Sequence, residues 1–180
     1  MSLVTAEEVR EVLGNPEIDN PTIDRMIARK QALMENYIGR AIAETEYTEY
    51  YNMEAGLDSL NLKNYPVTTF TGMWKVTTSA TAVFNSTYYY IQKERGIIDL
   101  LAGVEFIGGN KSIKVQYKAG YATADIPKDL QDACIDLVCA QYIFHKVLVH
   151  EVESDKAGDR KTALEDSAYK TLDIYKGVAA

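Results

Sequence analysis

Ser112-Ile113-Lys114-Val115-Gln116-Tyr117 and, further on, Leu130-Gln131-Asp132-Ala133-Cys134-Ile135-Asp136-Leu137 follow two different periods. In the first, Ile113, Val115 and Tyr117 share one face of an extended chain, because successive strand side chains point to opposite sides. In the second, which opens after Asp125-Ile126-Pro127, Leu130, Cys134, Leu137, Phe144 and Leu148 recur at helical spacing. Ile135, Val138, Tyr142 and Val149 widen that stripe, so this helix is expected at the centre of the fold or buried between subunits. Asp129, Asp132 and Asp136 near its start and Lys146 and His150 near its end suit the helix dipole. Strands and helices in separate blocks read as an α+β protein.

Before this junction the chain first reads helical. Thr5 and Glu8 make a capping-box pair with Val4 and Val9 as its hydrophobic staple, and Gly14 is placed to stop the helix. After the Asn15-Pro16 turn, Asn20 is read as the cap of a second helix with Pro21 at its first position. Ile23, Met26, Ile27, Lys30, Met34 and Tyr37 give it a mostly apolar stripe, and Gly39 closes it. Residues 1–40 are therefore a helical hairpin. Residues 44–120 read as an inserted antiparallel β module of five or six strands, rich in Thr, Tyr and Val and broken at Tyr65-Pro66, Lys93-Glu94-Arg95-Gly96 and Gly108-Gly109-Asn110. The long helix spans 126–150. Glu151 to Asp159 reads as a charged linker, and 160–176 as a terminal amphipathic helix bearing Leu164, Ala168, Leu172 and Tyr175. At 180 residues, one domain covering 1–180 is the expectation.

The chain carries 19 basic and 26 acidic residues, a net charge of −7, which argues against a protein that grips nucleic-acid phosphates. Its start has no signal-peptide pattern, and no apolar run is long enough for a membrane span. Cys134 and Cys139 point apart on one helix and read as buried small hydrophobes in a reduced protein. Asn85-Ser86-Thr87 fits a glycosylation sequon by chance.

No catalytic, cofactor or metal constellation stands out. His145 and His150 have no carboxylate at pairing distance, and none of the common nucleophile, phosphate-loop or zinc patterns is present. Glu44, Glu46 and Glu49 alternate with Tyr47, Tyr50 and Tyr51, which could mimic a sugar cleft but reads better as a solvated strand with cross-strand aromatic packing. The thirteen tyrosines are the unusual number. Tyr88-Tyr89-Tyr90 must put rings on both faces of a strand, and with Trp74 they are the candidate protein-interface residues of the β module. Leu164, Ala168, Leu172 and Tyr175 are the candidates on the terminal helix.

Taken in order, several landmarks resemble the phage head–tail connector family. They are Val4-Thr5 with Val9 and Leu13-Gly14, then Ile27, Ala32 and Tyr37-Ile38-Gly39-Arg40, then Tyr65-Pro66-Val67. The most specific are Val115-Gln116-Tyr117-Lys118-Ala119-Gly120-Tyr121-Ala122 and the following Ile126-Pro127-Lys128-Asp129-Leu130 with Ala133-Cys134. The resemblance spans roughly residues 4 to 150. It implies a non-enzymatic virion protein, a head–tail adaptor forming a ring between the portal protein and a tail-side neck or stopper protein of a tailed phage or prophage. The free chain is then expected as a monomer or a large ring. Its place is the head–tail junction of the virion, after the bacterial cytoplasm before assembly. DNA is expected to pass without specific binding, since lumen carboxylates would repel phosphates. No cofactor or membrane is implied. Two other classes compete: a carbohydrate- or peptide-binding module using the tyrosine-rich face, and a small hydrolase.

Overall fold

The computed structural model describes residues 2–15, 17–77, 80–106, 108–150 and 154–176, with the side chains of 147–150, 154 and 155 outside that description. The chain folds as two compact units, one from residues 1–40 and 123–179 and the other from 41–122.

The first unit is helical. Helix α1 (Ala6–Leu13) starts with the capping box read from the sequence: Glu8 N–H donates to Thr5 Oγ1 (3.2 Å) and Thr5 N–H to Glu8 Oε2 (2.7 Å). Staple residues Val4 and Val9 are both buried, and Gly14 ends the helix at φ 62°. Helix α2 (Asn20–Ile38) is capped by Asp19, not Asn20: the Asp19 carboxylate accepts from Thr22 N–H at 3.0 Å. Two adjacent residues can both cap, and the carboxylate outcompetes the amide at the positive end of the helix. Gly39 closes α2 at φ 80°.

Helix α3 (Lys128–His150) buries Leu130, Ala133, Cys134, Leu137, Val138, Cys139 and Ala140. Phe144, counted into its apolar stripe from spacing, is half exposed, with Lys161 Nζ 5.3 Å from its ring centre. Leu148, Val149 and His150 lie where side chains are not described. Helix α4 (Ser154–Tyr175) begins six residues before the terminal helix read from the sequence, so at least 154–159 of the supposed linker are helical. Gly158 misled that reading. A glycine costs about 1 kcal/mol against alanine within a helix, and the twenty-odd other residues carry it.

The second unit is a β sandwich, with seven strands among the described residues where five or six were expected. Strands β1 (Thr45–Met53), β7 (Gly109–Ala119), β3 (Val67–Val76) and β4 (Thr81–Val83) form one antiparallel sheet in that spatial order. Strands β2 (Ser59–Asn61), β6 (Ile97–Leu100) and β5 (Tyr89–Gln92) form the other. The short β4 escaped the sequence reading because three residues carry no measurable alternation. Inner faces of both sheets share one core that includes Leu60, Met73, Phe84, Ile98, Phe106, Ile113, Val115 and Tyr117. Phe70 of one sheet meets Tyr89 of the other with ring centres 5.8 Å apart.

Gly120 explains part of the most specific stretch of sequence. It sits at φ +109°, and a Cβ there would lie 2.6 Å from the Ala43 carbonyl oxygen. That close approach lets Ala43 and Tyr121 bridge in parallel, with Glu44 N–H donating to Tyr121 O (3.0 Å) and Tyr121 N–H to Ile42 O (2.8 Å). The entry and exit of the β unit are tied together there.

Candidate functional site

Strand parity decides what the tyrosine-rich segment offers. Tyr89 points into the sandwich, against Phe70 and Phe84, and burial raises its hydroxyl pKa. Tyr90 stands on the outer face of the three-stranded sheet at 63% exposure, while Tyr88, expected to open the strand, ends a short 3-10 turn (Ser86–Tyr88) just before it and is 49% exposed. Register places Tyr90 opposite Asp99, and Asp99 opposite Ser59. Leu101 N–H donates to Tyr88 O (2.9 Å), so half-exposed Leu101 lies beside Tyr88. Leu57, two residues before β2, is also exposed. The central charge of this face is Asp99, which accepts from Gln92 Nε2 at 2.6 Å.

Trp74 lies on the outer face of the other sheet. Its register partners run Lys114 on β7 and Val83 on β4, while Tyr50 on β1 also pairs with Lys114. One row, Tyr50–Lys114–Trp74–Val83, thus crosses all four strands. The Trp74 indole folds over Gly72, where a Cβ would come within 2.9 Å of the ring. Lys114 Nζ sits 4.8 Å from the Trp74 ring centre, a cation–π contact. Tyr50 (48%) and Val83 (73%) are exposed. Tyr50, Val83, Leu57 and Leu101 are exposed apolar side chains that the sequence reading did not put among its interface candidates. For Tyr50 and Val83 the signal available was parity: each lies on the face opposite a core residue.

A polar cluster on the inner face of the four-stranded sheet ties β1 and β7 to the connection between β2 and β3. The Glu49 carboxylate accepts from the hydroxyls of Tyr51 and Tyr117 (2.9 Å for Tyr117) and from Asn64 Nδ2 (3.0 Å). Tyr117 OH in turn accepts from Asn64 N–H (3.3 Å), and Tyr51 OH from Lys63 N–H (3.3 Å). Burial first, then the neighbouring Glu49, raises both phenol pKa values well above the usual tyrosine value. The supposed sugar cleft is therefore split. Tyr47, Glu49 and Tyr51 face inward, while Tyr50 faces out, and Glu44 is engaged by the Thr68 hydroxyl.

On α4, Ala168 and Leu172 are fully covered within the helical unit (1% and 0% exposed), so they hold the helix down rather than offer a surface. Leu164 is half-buried. Tyr175 belongs to a latch at the helix end: its hydroxyl donates to both Asp129 oxygens (2.8 Å), and its carbonyl accepts from the buried Arg40 (2.6 Å). Tyr37 OH donates to Asp173 (2.8 Å), and Lys176 Nζ lies 3.9 Å from the Tyr37 ring centre. Asp129 thus has a partner beyond the helix dipole. Ile174, missed by the sequence reading, is 78% exposed in the middle of this latch.

His145 lines a groove of about 140 Å³ with Thr22, Arg25, Met26, Arg29 and Gln141, a lining that holds no carboxylate to orient the imidazole. Among the described residues no three His, Cys, Asp or Glu side chains cluster to hold a metal. Cys134 and Cys139 are buried and unbridged, and burial pushes their thiols up to about 12 and about 11. No described helix is long and apolar enough to cross a membrane. What the geometry offers is surfaces.

No curated protein matches the chain. In solved structures, a chain in the neck of an empty gene transfer agent particle, computed with C6 symmetry, is 16% identical and aligns with a TM-score of 0.67 over 99% of this chain and 91% of its own. In the neck of the native particle, computed with C12 symmetry, the values are 17%, 0.63, 97% and 88%. In the virion of the native particle they are 16%, 0.66, 99% and 91%. At such identity these likenesses establish the fold. A model of the head completion protein family matches residues 2–159, the helical hairpin, the β sandwich, α3 and the start of α4, and the chain belongs to that family.

Proposed function

We propose that this protein is a structural head–tail adaptor: copies assemble as a ring at the head–tail junction of a tailed phage, prophage or related particle, between the portal and the tail-side neck protein. The observation that carries the reading is the head completion family match over residues 2–159. Near-full-length likeness to chains in the necks of gene transfer agent particles, one computed with C12 symmetry, supports the same place in a virion. The surfaces are in keeping with it, since both outer faces of the sandwich carry aromatic residues and no described groove assembles a catalytic set. The work is done by protein–protein contact, not chemistry, and the chain resides in the bacterial cytoplasm until it assembles.

DNA passage follows from charge. Residues 1–40 and 123–180 hold 18 acidic and 12 basic residues, while 41–122 hold eight and seven, so the acidic excess belongs to the helical unit. Carboxylates facing a channel repel phosphates and let the genome slide without the counterion-release adhesion of a basic lining. A channel lined mainly by Lys and Arg in the assembled ring contradicts this. The reading as a whole is tested by deleting the gene from a particle-producing cell. Filled heads without tails, rescued by the intact chain, are expected; normal tailed particles would refute it.

A further inference from the structure

We propose that neighbouring copies in the ring stack their β sandwiches face to face, the outer face of the three-stranded sheet of one copy on the outer face of the four-stranded sheet of the next, with Asp99 set against Lys114. The inference rests on the ring reading and names the contact that reading leaves open.

A head-to-tail ring needs two different, mutually complementary surfaces on one subunit, directed so that the contact cannot close within the chain. The two sheets turn their inner faces to one core, so their outer faces point away from each other. Both outer faces carry exposed apolar side chains that the fold itself does not use. Tyr90 with neighbouring Tyr88, Leu57 and Leu101 is on the one side and Tyr50 and Val83 on the other, where half-buried Trp74 lies between them over Gly72. Tyr and Trp bring large contact area with few rotamers to freeze, which is why they dominate the centres of protein interfaces.

Charge then matches the faces. On the four-stranded sheet Glu46 and Lys118 are direct register partners, which sets opposite charges side by side at one end of that face. Lys114 lies between Tyr50 and Trp74, and no carboxylate among the described residues pairs with it. On the three-stranded sheet the central charge is Asp99, between Ser59 and Tyr90. Its described hydrogen bond comes from the neutral amide of Gln92, and no cation among the described residues pairs with it. Each face thus carries near its centre one charge without an ionic partner, Asp99 beside Tyr90 on one and Lys114 between Tyr50 and Trp74 on the other, with opposite sign.

Size sets the strength. Three strands about 4.8 Å apart, each contributing about four residues at 3.3 Å, give a face of roughly 14 by 13 Å. That is well under the ~800 Å² per partner of a stable pairwise interface. One such contact does not hold two free copies together. It adds up when many copies are gathered on one template.

The test replaces the gene in particle-producing cells with Asp99→Lys, Lys114→Asp and the double variant. Each single change is expected to lower tailed particles roughly tenfold, and the double to recover to within about threefold of the parent. Singles that assemble normally, or a double no better than the worse single, overturn the inference. Thermal melts of the purified variants separate lost contact from lost fold. Independently, Tyr90→Cys with Tyr50→Cys in one chain, treated in purified particles with a short bis-maleimide, should yield a covalent ladder of this protein. Links only within a chain, to a different virion protein, or none at all overturn it. If the parent chain is missing from purified particles, the ring reading itself fails. If it is present and the swaps are inert, the stacking alone fails.

Discussion

Removing the Glu49 carboxylate should loosen the β sandwich more than any surface change, because from the inner side of β1 Glu49 ties β7 and the β2–β3 connection to its own strand. Glu49→Ala deprives the hydroxyls of Tyr51 and Tyr117 and the Asn64 amide of one shared acceptor. Hydrogen bonds to a charged group contribute about 1.5–3 kcal/mol each, and a buried donor left without a partner costs about 1–3 kcal/mol. These do not add, since Tyr117 still meets Asn64 N–H and Glu49 is only half-buried. The net loss expected is about 3–4 kcal/mol, against a usual total of ~5–15 kcal/mol. At ~2–4 °C per kcal/mol for a chain of this length, the midpoint falls by roughly 10 °C. Glu49→Gln, which keeps an acceptor without the charge, should cost about 1–2 kcal/mol. Trp74, the single tryptophan, lies in this unit, so urea unfolding followed by its fluorescence reads the sandwich directly. A double-mutant cycle of Glu49→Gln with Tyr117→Phe should show coupling of about 1 kcal/mol or more. A Glu49→Ala loss below ~1 kcal/mol, or a cycle additive within ~0.5 kcal/mol, would refute the reasoning.

Other expectations follow from the same geometry. Gly120→Ala forces a Cβ onto the Ala43 carbonyl at an unfavourable φ and should cost about 2–4 kcal/mol by chemical denaturation. Arg40→Ala takes the charged donor from the Tyr175 carbonyl and should cost about 1.5–3 kcal/mol, with amide exchange rising first at the end of α4. Cys134 and Cys139, raised to about 12 and about 11, should resist a thiol reagent at pH 8 in the native protein and react promptly in denaturant. Alkaline stability has a definite sign. Tyr51, Tyr117 and both thiols all have raised folded values. Their contribution is complete below the unfolded values of about 8.5 for thiols and about 10 for phenols, and is lost as pH climbs beyond them. Unfolding midpoints should therefore hold steady to about pH 8 and decline progressively above it; a midpoint that rises from pH 8 to 10.5 would contradict this.

Local signals explain why much of the fold is legible from sequence. The Thr5–Glu8 box, Gly14 and Gly39 each act within one turn of helix, so their consequences need no tertiary knowledge. Alternation in 113–117 likewise shows directly in the burial of Ile113, Val115 and Tyr117. What was misread depends on the rest of the chain. Ser154 to Asp159 is helical against local preference, and Phe144 is half exposed although its spacing belongs to the stripe. Ala168 and Leu172 read as a surface stripe, but an apolar stripe alone does not say whether another segment of the same chain already covers it. Within the tyrosine triplet, half-buried Tyr89 packs on Phe70 and Phe84 while Tyr88 and Tyr90 are exposed, a division that alternation anticipates. The partners in each row, Leu101 beside Tyr88 and Lys114 beside Trp74, come from strand register, which joins residues far apart in sequence.

Electron microscopy of this protein mixed with its cognate portal tests the central claim most directly. The account predicts a closed ring of additional density on the tail side of the portal, into which the helical unit and the β sandwich both fit. A portal that remains bare at saturating concentrations of the folded protein would contradict it.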